Sequence, residues 1–111
     1  MWSGPRNLST AMMYAFAARG DCAVVDEPFY AAYLSRTGID HPMRTGIMAA
    51  QPTDPALVVA GLMGDGPDPA KPLFYHKHMP QHMIDGVPRD WMESCTNVFL
   101  IRHPARVVAS Y

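Results

Sequence analysis

Apolar and polar residues alternate along the chain at spacings that predict helices and strands in turn. Residues 9–19 have apolar side chains at helical spacing, with Ser9 as a candidate N-cap and Gly20 as a candidate stop. Residues 22–25 form a short apolar run that is typical of a strand, and residues 29–34 predict one or two further helical turns. The first third of the chain is therefore predicted to run helix, strand, helix.

The middle of the chain, residues 36–72, has a different composition. It contains six prolines and five glycines, which interrupt both helices and strands. Only residues 54–63 predict a helix, with Asp54 as its cap and Pro55 at its first position. We expect the rest to be loop, and a loop of this length inside a compact domain is usually functional or mobile.

The last third of the chain returns to regular elements. Residues 73–77 predict a strand, and residues 88–95 predict a short helical stretch with Trp91 on its apolar side. Residues 97–101 are the clearest strand, and their continuous apolar run predicts burial on both faces. A further helix is expected to begin at Pro104.

Both ends of the sequence lie in unfinished elements. The chain opens on residues 1–4, which read as a loop with no strand before it, and it stops at Tyr111 inside the predicted last helix. We therefore expect residues 1–111 to be the N-terminal part of one larger domain, incomplete at both ends.

Helices that alternate with buried strands predict a fold of the α/β class, a parallel sheet with flanking helices and right-handed crossovers. In such sheets, ligands bind at the carboxyl ends of the strands. The residues with the most reactive side chains follow the predicted strands at these ends, namely Asp26, Glu27, Lys77, His78 and Arg102. This convergence predicts a functional site at one edge of the sheet.

Composition narrows the class of partner. The chain is 49% apolar and 17% charged with a net charge of −1, so bulk charge favours neither nucleic acid nor a membrane surface as a partner. Cys22 and Cys95 lie far apart without CxxC spacing, which disfavours both a zinc site and a disulfide scaffold. Without a secretory signal or a run of about 20 apolar residues, we expect a cytoplasmic protein.

The segment that precedes the first helix is a candidate anion site. Residues 4–10 place Arg6, Ser9 and Thr10 at the start of that helix, where free N–H groups and a partial positive charge favour phosphate. It is not a Walker A loop, since the second glycine and the lysine of GxxxxGK[ST] are absent. An ordinary capped helix is the alternative interpretation.

Arg102 and Ser110 form a second candidate anion site. Arg102 follows a predicted strand, and Ser110 lies eight residues later, about two helical turns on. Both side chains could therefore reach one anion, and the planar guanidinium of an arginine can donate two hydrogen bonds to a phosphate. The alternative is a surface arginine and an unrelated helix serine.

Two further segments carry candidate bases. Lys77 between His76 and His78 could combine charge with proton transfer. The alternative is a metal site, which we disfavour because we expect the two imidazoles to point to opposite faces of the strand. Glu27 could act as a base or bind a substrate cation, since Pro28 is expected to hold it in an extended conformation, whereas a solvated turn is the other interpretation.

Taken together, these segments resemble the sulfotransferase family that uses 3′-phosphoadenosine 5′-phosphosulfate (PAPS), and in particular its bacterial sulfotransferase-like members. That family binds the 5′-phosphosulfate with a loop of the form P-[KR]-S-G-[ST]-T. Residues 5–10 match it in Arg6, Ser9 and Thr10, while Asn7 and Leu8 stand in place of the family's Ser-Gly. The resemblance implies that Arg6, Asn7, Ser9 and Thr10 bind the nucleotide, in a P-loop-NTPase-like architecture.

The resemblance extends to the later motifs. The family binds the 3′-phosphate with an arginine at a strand end and a serine eight residues later, which implies this role for Arg102 and Ser110. Cytosolic members have a catalytic histidine in K-x-H-x-P, which His78 matches, whereas other branches use a glutamate after the second strand, as Glu27 does. We expect Glu27 to be the base, with Lys77 and His78 steadying the sulfuryl group.

The resemblance thus implies an enzyme that moves a sulfuryl group from PAPS to a hydroxyl or amine of a small acceptor, without a metal. The loop of residues 36–72 is then expected to shape the acceptor pocket. Two other functions stay open at this point. One is a P-loop kinase-like enzyme that requires magnesium, and the other is a nucleotide-binding module without catalysis.

Overall fold

Four short parallel strands and five α-helices make up the fold, and the computed structural model describes all 111 residues. The strands are β1 (Trp2–Ser3), β2 (Cys22–Asp26), β3 (Leu73–Lys77) and β4 (Phe99–Leu100). The helices are α1 (Ser9–Ala17), α2 (Tyr30–Thr37), α3 (Arg44–Ala50), α4 (Pro55–Met63) and α5 (Pro104–Ala109), with 3₁₀ turns at Pro80–His82 and Asp90–Ser94. No helix has both the length and the apolar character that a membrane span needs.

The strands lie in the order β2, β3, β1, β4. Strands β2 and β3 pair in parallel with Asp26 opposite Lys77, and β1 pairs in parallel with β4. A parallel bridge between Trp2 and His78 joins the two pairs, supported by a hydrogen bond from Ser3 N to His78 O of 3.1 Å. The predicted parallel α/β arrangement is therefore confirmed.

This order creates a switch point beside β1. The chain leaves β1 through α1 and reaches β2 on one side, whereas it leaves the neighbouring strand β3 and reaches β4 on the other side of β1. Loops that leave neighbouring strands in opposite directions open a crevice at the carboxyl ends of those strands. The crevice here lies between the loop after β1 and the segment after β4.

Two elements appear where loops were predicted. Residues 2–3 form β1, because the amide of Trp2 donates to Val98 O at 2.8 Å, a partner that is distant in sequence. Such a two-residue strand is too short to show any periodicity. Residues 44–50 form α3, which has no buried residue and whose Gly46 disfavours a helix by local propensity. By contrast, the predicted cap of α4 is confirmed, since the Asp54 carboxylate accepts from Ala56 N at 3.0 Å.

The prediction that residues 97–101 are buried on both faces was wrong. The regular strand is only two residues long, and Val98, Phe99 and Ile101 are 54%, 65% and 85% exposed. Strand β4 pairs with β1 alone, and the other elements leave the side chains of this segment largely uncovered. An apolar run therefore identified the strand correctly but did not determine its burial.

The main apolar core lies between the sheet and the segments that follow β2 and β3. It consists of Trp2, Phe29, Val58, Leu62, Val87 and Trp91. The rings of Phe29 and Trp91 stack with centroids 5.7 Å apart, and Trp91 Nε1 donates to Pro88 O at 2.7 Å. Phe29, which directly follows Pro28, is thus a central core residue and anchors the start of α2.

We expect Phe29→Ala to lower the free energy of unfolding by about 3–5 kcal/mol, because Phe29 is 1% exposed and its removal leaves a cavity. Phe99→Ala is the matched control and should change it by no more than about 0.5 kcal/mol, since that ring is mostly exposed. Urea unfolding of both variants measures the difference. Equal losses for the two phenylalanines would contradict this description of the core.

Candidate functional site

The loop between β1 and α1 has an unusual backbone. We call residues 4–8 the anion loop. Arg6 adopts a left-handed conformation with φ of 58°, which is uncommon for a non-glycine residue and is enriched at functional sites. The anion loop leads directly into the first turn of α1.

No side chain caps the N-terminus of α1. The prediction of Ser9 as N-cap was wrong, because the helix begins one residue earlier than expected and Leu8 takes the cap position. Ser9 is buried as the first helical residue, while Thr10 is exposed. The first-turn N–H groups of this helix are therefore not satisfied by a capping side chain, which leaves them to water or an anion.

The anion loop is tied to the segment that follows β4. Asn7 Nδ2 donates to Leu100 O at 3.2 Å, and Arg102 Nη1 donates to Arg6 O at 2.5 Å. The Arg6 guanidinium lies 4.5 Å from the centre of the Tyr111 ring. The Arg102 guanidinium thus binds the backbone of the anion loop, whereas the Arg6 guanidinium lies over the Tyr111 ring.

A cavity of about 490 Å³ lies at this junction. Gly4, Pro5 and Asn7 line it from the anion loop, and Arg102 and Pro104 line it from the other side. The predicted partner Ser110 directly follows α5, where its hydroxyl donates to Val107 O at 2.7 Å, and it does not line the cavity. The structure therefore brings Arg102 to the anion loop but leaves the Ser110 hydroxyl bonded within its own helix.

A second group of charged residues lies at the carboxyl ends of β2 and β3. Lys77 Nζ donates to Asp26 Oδ1 at 2.8 Å and to Glu27 Oε1 at 3.0 Å. We call these three residues the carboxylate–lysine cluster. The lysine side chain is only 6% exposed, whereas those of Asp26 and Glu27 are 47% and 22% exposed. The cluster is therefore open to solvent on its carboxylate side.

The carboxylates determine the charge state of this lysine. Burial by itself lowers the pKa of Lys77, but the hydrogen bonds and negative charges of Asp26 and Glu27 outweigh burial and raise the pKa above its ordinary value. Lys77 is therefore a fixed positive charge at neutral pH. It cannot act as a base there, but it can stabilise an anion.

Glu27 departs from the predicted backbone. We expected an extended conformation before Pro28, but Glu27 has φ of 46°, in the left-handed region. Its amide donates to Lys77 O at 2.9 Å and its carbonyl accepts from Tyr30 N at 3.0 Å, so the turn between β2 and α2 fixes the unusual conformation. Strain of this kind at a titratable residue is typical of functional sites.

His78 lies apart from the carboxylate–lysine cluster. It is 3% exposed, its ring stacks on Trp2 with centroids 4.6 Å apart, and its Nε2 has no hydrogen-bond partner. Contrary to expectation, the rings of His76 and His78 lie on the same side, 5.5 Å apart, because residues two apart in a strand share a face. No group of three or more histidine, cysteine or acidic residues is arranged around a metal position.

Burial keeps these imidazoles neutral. It lowers the pKa of His76 to about 4 and that of His78 to about 3, and for His78 the neighbouring His76 adds to the effect. Burial also lowers the pKa of His82, which stacks against Tyr30 at 4.9 Å. His78 is thus a weak base without access to solvent.

These histidines predict a fall in stability in mild acid. An unfolded chain takes up protons on its histidines as the pH falls through about 6.5, whereas the folded chain resists until the pH nears about 4. The contribution of the buried neutral histidines to the free energy of unfolding is fully present above pH 6.5. It is lost as the pH falls toward their folded-state pKa values of about 4 and about 3. Each such imidazole contributes a slope of up to about 1.4 kcal/mol per pH unit.

Urea unfolding between pH 7 and pH 5 measures this slope while most carboxylates stay ionised. We expect His78→Phe, which can keep the stacking on Trp2, to flatten the slope. The control His41→Gln should leave it unchanged, since His41 is exposed. A wild-type midpoint that does not fall with pH, or a His78→Phe slope as steep as that of the wild type, would contradict the assignment.

Asp26 and Tyr111 also belong to these two groups of residues. Asp26 was expected at this edge of the sheet but without a role of its own, and Tyr111 was not among the predicted site residues. The sequence signal for Asp26 was its position directly after the apolar run of β2, and the structure places it opposite Lys77 in the parallel register. The contact of Tyr111 with Arg6 had no local signal, since it joins the two ends of the chain.

Comparison with known proteins identifies related sequences. A family model described as a sulfotransferase domain matches residues 1–111. Branched-chain-amino-acid aminotransferase-like protein 2 of Arabidopsis thaliana is 38% identical over 110 residues, covering 99% of this chain and 19% of the relative. Branched-chain-amino-acid aminotransferase-like protein 1 of the same plant is 38% identical over 111 residues, covering 99% and 20%.

The chain therefore spans about a fifth of the length of the curated relatives it matches. No solved structure matches it.

Proposed function

Since this chain belongs to the sulfotransferase domain family, we propose that it binds PAPS at the switch point and promotes transfer of the sulfuryl group to a small acceptor. The observation that supports this most directly is the hydrogen bond from the Arg102 guanidinium to the Arg6 carbonyl, which ties the segment after β4 to the anion loop beside an uncapped helix N-terminus. The names of the plant relatives refer to proteins about five times as long as this chain.

The anion loop and α1 are assigned to the 5′-phosphosulfate. Arg6 supplies positive charge, Asn7 fixes the loop to β4, and the first-turn N–H groups with Ser9 and Thr10 supply hydrogen-bond donors. Arg102 is assigned to the 3′-phosphate, because a guanidinium can donate two parallel hydrogen bonds to it. The Ser110 hydroxyl would bind the same phosphate only after its hydrogen bond to Val107 O is broken.

The carboxylate–lysine cluster is assigned to the transfer step. Glu27 takes the proton from the acceptor hydroxyl or amine as the acceptor atom forms its bond to sulfur. The bond between sulfur and the bridging phosphate oxygen breaks, and its electron pair leaves with that oxygen. Lys77 stabilises the negative sulfuryl oxygens during transfer, and Arg6 stabilises the charge on the leaving phosphate. The products are a sulfated acceptor and 3′-phosphoadenosine 5′-phosphate.

Glu27 suits the role of base better than His78. A base must reach the acceptor, and the Glu27 side chain is 22% exposed at a strand end. The imidazole of His78 is enclosed by aromatic rings, and burial holds its pKa at about 3, which makes it a poor proton acceptor. We therefore assign the base to Glu27 and give His78 no part in the transfer.

An apolar cavity beside the carboxylate–lysine cluster is the proposed binding site for the apolar part of the acceptor. It has a volume of about 230 Å³ and is lined by Val25 and Pro28 on one side and by residues 51–62 on the other. Pro28 directly follows Glu27, so the cavity opens next to the proposed base. Its size and lining suit a compact apolar group, and the predicted role of residues 36–72 in the acceptor pocket is consistent with this location.

Calorimetric titration tests the donor assignment before any acceptor is known. The protein is titrated with 3′-phosphoadenosine 5′-phosphate, adenosine 5′-phosphate and magnesium ATP in turn. The proposal requires tighter binding of the 3′-phosphorylated nucleotide in the absence of magnesium. A preference for magnesium ATP, or no binding of any nucleotide, would contradict it.

A further inference from the structure

We propose that Asp26 is a positioning residue for sulfuryl transfer, which holds Lys77 in place so that Glu27 stays free to take a proton. This inference rests on the proposed function, because it concerns the same transfer step. It gives Asp26, the one member of the carboxylate–lysine cluster without a task in the proposed transfer, a role of its own.

The backbone fixes the geometry of this group. Asp26 and Lys77 are register partners at the ends of β2 and β3, and Glu27 N donates to Lys77 O at 2.9 Å. The lysine ammonium therefore lies between the two carboxylates, at 2.8 Å from Asp26 and 3.0 Å from Glu27. Two of its three N–H groups are used, and the third remains for a substrate oxygen.

Two carboxylates that share one ammonium are not equivalent. Asp26 belongs to a regular strand, whereas Glu27 lies at the left-handed turn that follows it. Without Asp26, Glu27 would be the one remaining counter-charge of Lys77. The full attraction of the ammonium would then favour the ionised form of Glu27 over its protonated form. By sharing the ammonium, Asp26 makes proton uptake by Glu27 easier.

The same arrangement matters after the proton has moved. Once Glu27 is protonated, its attraction for the ammonium falls, and a buried lysine without a counter-charge is costly. The hydrogen bond from Lys77 Nζ to Asp26 Oδ1 keeps the lysine in place while the sulfuryl group passes. The lysine thus remains available to the transferring group throughout the step.

Few other titratable groups face Glu27. Tyr30 of α2 lies near enough that the Glu27 charge, after burial, raises the pKa of the tyrosine. His82, in the 3₁₀ turn after β3, is influenced by both Glu27 and Lys77. Tyr30 and His82 are both neutral at pH 7, so Asp26 and Lys77 are the charged groups that govern proton uptake by Glu27.

The test is Asp26→Asn, which keeps the shape of the side chain and removes its charge. We expect kcat to fall by roughly 10-fold or more, because a more strongly ionised Glu27 is a weaker base. The acidic limb of the pH–rate profile should move to lower pH, and the affinity for 3′-phosphoadenosine 5′-phosphate should stay within about twofold of wild type. Asp21→Asn is the matched control, since Asp21 forms an exposed ion pair with Arg19.

Asp26→Glu provides a second variant that retains the charge if the asparagine form folds poorly. It should keep the acidic limb near its wild-type position even if its kcat is reduced. An Asp26→Asn enzyme with an unchanged kcat and an unchanged acidic limb would overturn the inference. So would an acidic limb that moves equally in the Asp26→Glu enzyme, because that would indicate a purely structural role.

Glu27→Gln separates this inference from the proposed function. If Glu27→Gln retains activity, the proposed base is wrong and the inference fails with it. If Glu27→Gln is inactive while Asp26→Asn behaves as wild type, the proposed function stands and only the role of Asp26 is overturned.

Discussion

Replacement of Glu27 by glutamine should lower turnover by about 10²- to 10⁴-fold, the usual contribution of a general base. Glutamine has the same shape, and its amide oxygen can still accept from Lys77 Nζ, but it cannot take up a proton at neutral pH. Nucleotide binding should therefore be unchanged, because the anion loop and Arg102 are formed by other elements. Single-turnover sulfuryl transfer and calorimetry measure the two quantities separately.

Glu93→Gln is the matched control for this experiment. Glu93 is an exposed carboxylate in the 3₁₀ turn Asp90–Ser94, with no ion pair, and its replacement should leave turnover at the wild-type level. Turnover within a few-fold of wild type for Glu27→Gln would remove Glu27 from the role of base. Loss of nucleotide binding in the same variant would place Glu27 in the donor site instead.

The second large effect concerns the donor. Arg102→Ala should weaken the binding of 3′-phosphoadenosine 5′-phosphate by about 10- to 150-fold, since a hydrogen bond to a charged group contributes roughly 1.5–3 kcal/mol. Adenosine 5′-phosphate lacks the 3′-phosphate, so its affinity should change little. Titration of wild type and variant with both nucleotides gives the comparison.

Arg106→Ala is the control, because Arg106 is an exposed arginine in α5 and does not line the cavity at the switch point. It should bind both nucleotides as the wild type does. Arg102 also donates to Arg6 O and so helps to hold the anion loop. Equal losses for the two nucleotides would mean that Arg102 acts through this loop contact and does not recognise the 3′-phosphate.

Local patterns predicted most of the elements. The apolar runs identified β2 and β3, and the sequence Asp54–Pro55 identified the start of α4. They could not predict β1, which is only two residues long and exists because β3 and β4 lie on either side of it. They also missed α3, where a glycine within the helix outweighed weak helical signals.

The family resemblance in the sequence was correct, and the matching family model covers the whole chain. The sequence also predicted that charged residues would meet at the carboxyl ends of the strands, because a parallel sheet aligns those ends. Lys77, Asp26 and Glu27 do meet there. The nucleotide-binding and catalytic roles of the individual residues remain predictions for the experiments above.

By itself, then, the sequence determined the fold class, the family and the edge of the sheet where the reactive side chains gather, since these depend on periodicity and on residue order. Only the tertiary structure decided which side chains are available. It enclosed His78 among aromatic rings, turned Glu27 into a left-handed conformation and left β4 exposed at the sheet edge. Burial, and the hydrogen bonds that fix a backbone turn, come from residues distant in sequence, so local patterns could not reveal them.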